Sequence, residues 1–145
     1  METLKDILDE KGRNVWSVRP DDSVIRALGV LSEANVGALM VITDSGELVG
    51  VFSERDFARQ ALMHRGEVFE LPVRDLMSTR VRSVPATLDI DSCMSLMTTE
   101  RIRHLPVLED RRLVGVISIG DVVKATAGEK DTVIEQLEHY ISSSL

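Results

Sequence analysis

A chain of 145 residues, 43% of them hydrophobic, is long enough to bury one substantial core or two small ones packed together. A formal net charge of −7 and an aromatic content of 3% exclude nucleic acid as the main partner, since phosphates ask for clustered cations and bases for stacking rings. The single cysteine, Cys93, excludes an intrachain disulfide framework and a Cys-x-x-Cys zinc pair.

The opening METLKDILDEKG mixes acids with bases and has no apolar signal core, and no apolar run has bilayer length, so a soluble cytoplasmic protein is expected. Thr3 suits the N-cap of a short helix to Lys11, with Leu4, Ile7 and Leu8 on one face and Gly12 as the stop. Val15, Trp16 and Val18 predict a short strand. Arg19-Pro20-Asp21-Asp22-Ser23 then turns into a helix whose apolar positions Val24, Ala27, Leu28, Leu31 and Ala34 recur at helical spacing. Asn35 ends that pattern. Gly37 to Ile42 is a continuous apolar run of strand length, Asp44-Ser45-Gly46 a hairpin turn, and Leu48 to Phe52 the returning strand. Ser53 opens a helix carrying Phe57, Ala58, Ala61 and Leu62.

The polar stretch His64 to Leu71 reads as a linker, and Pro72 suits the first turn of a short helix from Val73 to Met77. From Val81 the pattern returns. Val84 stands where Val18 stood, Ile90 where Val24 stood, and Met94 and Met97 replace Leu28 and Leu31. Leu105, Val107 and Asp110 repeat Leu39, Val41 and Asp44, and Leu113-Val114-Gly115-Val116 repeats Leu48-Val49-Gly50-Val51. The tail from Asp131 to Ile141 predicts a last amphipathic helix, with Val133, Ile134, Leu137 and Ile141 on one side.

The expected organisation is an N-terminal helix in 1–14, a first repeat in 15–63, a linker with a short helix in 64–80, a second repeat in 81–127 and a C-terminal helix in 128–145. One strand-helix-strand-strand-helix copy cannot cover its own sheet. The fold class is therefore α/β of the α+β kind: two βαββα repeats packed about a pseudo-two-fold axis, with extra amphipathic helices at both ends.

Each copy ends its last strand in Ser-x-x-Asp, as Ser53 to Asp56 and as Ser118 to Asp121. This is a helix-start signature, because the serine oxygen can accept an amide of the first turn and the aspartate sits where the helix dipole favours an anion. A pure cap accounts for one occurrence. Two occurrences at matching places in a duplicated chain invite a further role.

With the repeats laid out, residues from about Val15 to Ala127 resemble a tandem pair of cystathionine-β-synthase-type (CBS) domains, a Bateman module. The resemblance rests on the strand-helix opening, on an apolar strand ending x-Leu-x-Val, and on Gly-x-x-Ser-x-x-Asp, with His104-Leu105-Pro106-Val107 and Val51 to Asp56 as typical wording. The whole chain is similar to small stand-alone bacterial CBS-pair proteins of signal transduction. That resemblance implies a cleft between the domains for an adenosine-containing regulatory ligand such as AMP, ADP, ATP, NAD or S-adenosylmethionine, with no catalytic cofactor and no metal. It also implies flat homodimers and an effector protein downstream.

An ionised carboxylate can accept a hydrogen bond from each hydroxyl of a ribose, which casts Asp121, with Ser118, and Asp56, with Ser53, as ribose ligands. The amides of the same helix start favour a nearby phosphate, and Gly120 permits close approach where Arg55 in the other copy reaches a phosphate or blocks the site. The resemblance assigns Arg101, Arg103 and His104 to phosphate, against a solvated surface turn, and Val36, Gly37 and Ala38 to an adenine wall. Trp16 either extends that wall or packs in the core. The Asp121 site is favoured over the Asp56 site, whose adenine wall would be Ile102-Arg103-His104.

An enzyme is disfavoured. Gly115-x-x-Ser118 has one residue too many for a nucleophile elbow, and His64, His104 and His139 are scattered, with His139 expected to face solvent. Metal-ligand spacing is missing, and Cys93 shares a helix with Met94, Leu96 and Met97, a packing role. The other rival is a scaffold with empty clefts, whose terminal helices at Leu4 to Leu8 and Val133 to Ile141 offer apolar surface to a second copy. Retention of both acids favours a ligand sensor.

Overall fold

Helical and strand periodicities written twice produce two three-stranded sheets, one per copy. The computed structural model describes residues 2–127, 138 and 141. The chain divides into two units, one made of 14–82 with 110–113 and the other of 1–13, 83–109 and 114–145. Each is named below by its repeated aspartate.

In the Asp56 unit, β1 (Ser17–Val18) runs parallel to β2 (Ala38–Ile42), which pairs antiparallel with β3 (Leu48–Ser53) in the register Leu39 to Phe52. The strand expected from Val15 is thus confined to two residues. Helix α2 (Val24–Ala34) starts at Ser23, whose Oγ accepts the Arg26 amide at 3.2 Å, and stops at Asn35 in the left-handed region, φ 55°. Leu39, Met40 and Val41 are buried in succession, because both faces of the central strand are covered. Leu39 and Val41 form the core with Val24, Leu31 and Phe52, and fully burying Phe52 contributes about 1.5–3 kcal/mol.

Helix α3 (Glu54–His64) buries none of its residues; Leu62 is 86% and Met63 76% exposed. The stretch expected as a linker is instead a 3-10 helix, Arg65–Glu70, and the reason is Val68, fully buried in this core. A second 3-10 turn, Val73–Asp75, follows Pro72.

The Asp121 unit holds α1 (Leu4–Lys11), β4 (Val84–Pro85), α4 (Ile90–Glu100), β5 (His104–Glu109), β6 (Arg112–Ser118) from Val114 onward and α5 (Ile119–Ala127). Strand β4 runs parallel to β5, Val84 opposite Val107, and the sheet order is β4-β5-β6. Asp89 caps α4 by accepting the Ser92 amide at 2.7 Å, and Arg101 ends it in the left-handed region as Asn35 ends α2. Leu4 and Leu8 of α1 are fully buried with Ile90, Met97, Leu105 and Ile117. This corrects the expectation that α1 leaves an apolar face for a second copy: its face is already used inside the unit.

The same covering device operates in both units. The Leu4 and Lys5 amides donate to the Leu88 and Ala86 carbonyls, and the Val73 and Arg74 amides donate to the Asp22 and Pro20 carbonyls. A Cβ on Gly115 would lie 2.5 Å from Leu8 Cδ2, and one on Gly50 would lie 2.6 Å from Met77 Sδ. The repeated glycine is bare because a covering side chain rests on the strand. The tail helix expected from Asp131 to Ile141, with His139, lies outside the described residues except for Glu138 and Ile141, both helical.

Candidate functional site

The chain leaves β6 at Ser118 and enters α5 at once, which places Asp121 in the first turn. There the Asp121 amide donates to Ser118 Oγ at 3.1 Å and the Ser118 amide donates to Asp121 Oδ2 at 2.8 Å. The Asp56 copy closes the same box at 3.1 and 3.0 Å, and Ser53 Oγ adds a 2.9 Å hydrogen bond to Asp56 Oδ2. Both aspartates therefore cap their helices. In each carboxylate these bonds fall on Oδ2 alone.

At Asp121 a further partner arrives from α1. The Lys11 ammonium donates to Asp121 Oδ2 at 2.6 Å and to the Val116 carbonyl at 3.0 Å. Sequence reading missed Lys11, although a signal existed: Leu4, Ile7, Leu8 and Lys11 share one helical stripe, and a lysine ending such a stripe lays its stem along apolar surface and puts its charge at the edge. Burial pushes the Asp121 carboxyl up, but the Lys11 hydrogen bond and the Ser118 amide outweigh it and hold the group below the ordinary 3.8. The carboxylate is ionised at neutral pH. Among the described residues, its Oδ1 accepts from no group.

The expected phosphate residues divide. Arg103 and His104 line a hollow of about 240 Å³ with Ser118 and Gly120, whereas Arg101 is not on its wall. Asp121 faces a different hollow, about 460 Å³, with Lys11, Lys124 and the acids Glu2, Asp6 and Glu10. His104 ranks as an exposed residue, yet partial burial of its ring lowers its pKa from 6.5, helped by Arg103 and Lys11 and opposed by Asp121. It stands neutral at pH 7. The helix start is less open than expected, because the Ile119 amide already donates to the Arg103 carbonyl at 2.8 Å and the Asp121 amide to Ser118. Glu138 also enters this hollow, its Oε1 3.4 Å from the position of a Cβ on Gly120.

In the Asp56 unit, Arg55 and Gly37 are exposed and Val36 and Ala38 half-buried, with the Gly37 carbonyl accepting the Glu54 amide at 3.1 Å. Trp16 is 55% exposed, which removes its core alternative; its carbonyl accepts the Met40 amide where the chain enters the sheet. Cys93 is buried and its thiol is pushed up to about 11, by burial first and by the Asp89 charge second. Among the described residues no three His, Cys, Asp or Glu side chains gather to hold a metal, and no helix is long and apolar enough to cross a membrane.

The model of the CBS domain family matches residues 4–62 and 73–128. The mitochondrial CBS domain-containing protein CBSX3 of Arabidopsis thaliana is 32% identical over 148 residues, 96% of this chain and 71% of that relative. A crystal structure of a CBS-domain-containing protein from Agrobacterium tumefaciens is 40% identical with TM-score 0.78, covering 86% of this chain and 92% of that one. Another CBS pair, solved with 5′-methylthioadenosine and S-adenosyl-L-methionine, shares the fold at TM-score 0.76 and 23% identity, over 90% of this chain and 99% of that one.

Proposed function

The chain belongs to the CBS domain family as a tandem pair, and from that premise we propose that it is a regulatory module for an adenosine-containing ligand. AMP, ADP, ATP and NAD are the candidate ligands, and their arrival is transmitted by a conformational or dimer change. The observation that carries this reading is the Asp121 carboxylate: part-buried, ionised, mounted on a helix start, with Oδ1 accepting from no described group. A ribose hydroxyl donating to such a group contributes roughly 1.5–3 kcal/mol. Asp56 with Ser53 is the second ribose position. Trp16, Val36, Gly37 and Ala38 belong to the other unit than Asp121, and their adenine role rests on the resemblance, as do the phosphate roles of Arg103, His104, Arg101, Arg55 and Gly120. The CBS pair solved with two adenosyl compounds supports the ligand class.

A ligand shifts a conformational equilibrium only by its differential affinity for the two states. At one hundred times its dissociation constant it should stabilise the fold by about 2.7 kcal/mol. The test is a thermal-shift panel of AMP, ADP, ATP, NAD and S-adenosylmethionine on the wild type, Asp121→Ala and Asp56→Ala. At least one compound should raise the melting temperature of the wild type, and Asp121→Ala should lose most of that rise. A panel that leaves the wild type unmoved favours the scaffold reading, which the cap-only geometry of Asp56 suits. The homodimer and the cytoplasmic setting belong to this reading; exposed Leu62 and Met63 supply apolar surface for a second copy, and a light-scattering mass near 16.1 kDa would remove the dimer.

A further inference from the structure

A glycine in the first turn of a helix lets an anion come close, and Gly120 holds that place in α5. The space over it is already taken. Glu138 Oε1 lies 3.4 Å and its Cδ 3.9 Å from the position of a Cβ on Gly120, with Ser118 Oγ 3.7 Å from the same point. The occupant is a carboxylate, of the same charge sign as a phosphate. Ile141, one helical turn further along the tail, lines the same hollow beside it and is half-buried.

The surroundings favour an anion there. The start of α5 is the positive end of its dipole, and Arg103 lines the same hollow as its cation. Yet the acid is not clamped. Among the described residues, no cation lies within salt-bridge distance of Glu138 and no carboxylate within that distance of Arg103. Glu138 is also exposed, so water can reach and replace its contacts. A phosphate monoester brings about two charges and three acceptor oxygens, against one charge and two oxygens for the carboxylate. It is the stronger claimant to the same space.

Resting on the adenosyl-ligand reading of this site, we infer that the tail residues Glu138 and Ile141 form an autoinhibitory plug, in which Glu138 holds the place of the ligand's phosphate over Gly120. A phosphorylated ligand must move Glu138 aside to bind, and the displaced tail is the change that its arrival transmits. Like charge makes the contest specific to phosphorylated compounds. A neutral nucleoside leaves Glu138 where it is.

The test is calorimetric titration of the full chain with AMP and with adenosine, on the wild type, Glu138→Gln and Arg103→Gln. Hydrogen-exchange mass spectrometry follows the peptide that carries Glu138 and Ile141. Glu138→Gln should bind AMP about fivefold more tightly, the scale of one like-charge contact at about 4 Å in water, and adenosine as the wild type does. Arg103→Gln should weaken AMP alone. AMP, but not adenosine, should speed exchange in the wild-type tail peptide. Unchanged or weaker AMP binding by Glu138→Gln, an equal gain for both ligands, or a tail peptide that exchanges no faster with AMP overturns the inference. If Arg103→Gln still weakens AMP in that case, the ligand reading stands without the plug. AMP binding untouched by Arg103→Gln puts the phosphate outside this hollow and overturns the inference too. Failure of both the wild type and Glu138→Gln to bind either compound overturns the ligand reading and the inference with it.

Discussion

Asp121 and His104 sit in one electrostatic neighbourhood and are driven the same way for different reasons. Asp121 is lowered because hydrogen bonds to Lys11 and Ser118 overcome its burial, and His104 is lowered because burial and nearby cations overcome Asp121. In each the folded state binds a proton less readily than the unfolded chain. The associated stability is therefore complete above the unfolded pKa and is lost as pH falls through the folded one. The window for His104 opens below 6.5, and that for Asp121 below 3.8. The wild-type melting temperature should accordingly decline as pH drops below about 6.5, the free imidazole value, and His104→Gln should flatten that limb. Equal slopes in the two melting profiles between pH 7 and pH 5 would refute this role for His104. Asp121 stood out in the sequence through its repeat at Asp56, and His104 through the family resemblance. Their protonation was not legible there, because Lys11 and Asp121 are 110 positions apart in the chain.

At the scale of elements, α1 behaves as part of the Asp121 unit's core and not as an appendage. Leu8 is fully buried, with a cavity as the consequence of truncation, so Leu8→Ala should cost about 2–5 kcal/mol in urea unfolding. Gly115→Ala should cost about 1–3 kcal/mol, because the new methyl would lie 2.5 Å from Cδ2 of Leu8, itself a fully buried side chain. A midpoint for either variant matching the wild type would return α1 to the status of a surface decoration. Helix starts and stops were legible, since Thr3, Ser23, Asn35 and Ser53 act through bonds to residues a few positions away. The covering role was legible too, had Leu4-Lys5-Asp6-Ile7-Leu8 been set beside Val73-Arg74-Asp75-Leu76-Met77, which make matching backbone bonds in their two units. Val68 carried no such sign. A lone valine between Glu67 and Phe69 in a polar stretch has no periodicity to mark it as core.

For the molecule as a whole, the two units draw on the chain unequally. The Asp56 unit takes nearly all its residues from 14–82, whereas the Asp121 unit joins 1–13 to segments beyond 82. A fragment of 83–145 lacks Leu4, Ile7 and Leu8 and should remain unfolded by circular dichroism. The same fragment with 1–13 fused ahead of it through a flexible linker should recover a cooperative melt, and failure of the fusion to do so would refute the covering role of α1. The duplicated strands and helices, their caps and the two Ser-x-x-Asp corners were decided by the order of residues alone, because each depends on partners within a turn or a hairpin. Which segment lies over Gly115, and which cation rests on Asp121, follows from folding of the unit as a whole. Those partners are brought together by burial of α1 against a sheet formed from residues beyond 82, and the local pattern of α1 marks an apolar face without naming the strand it meets.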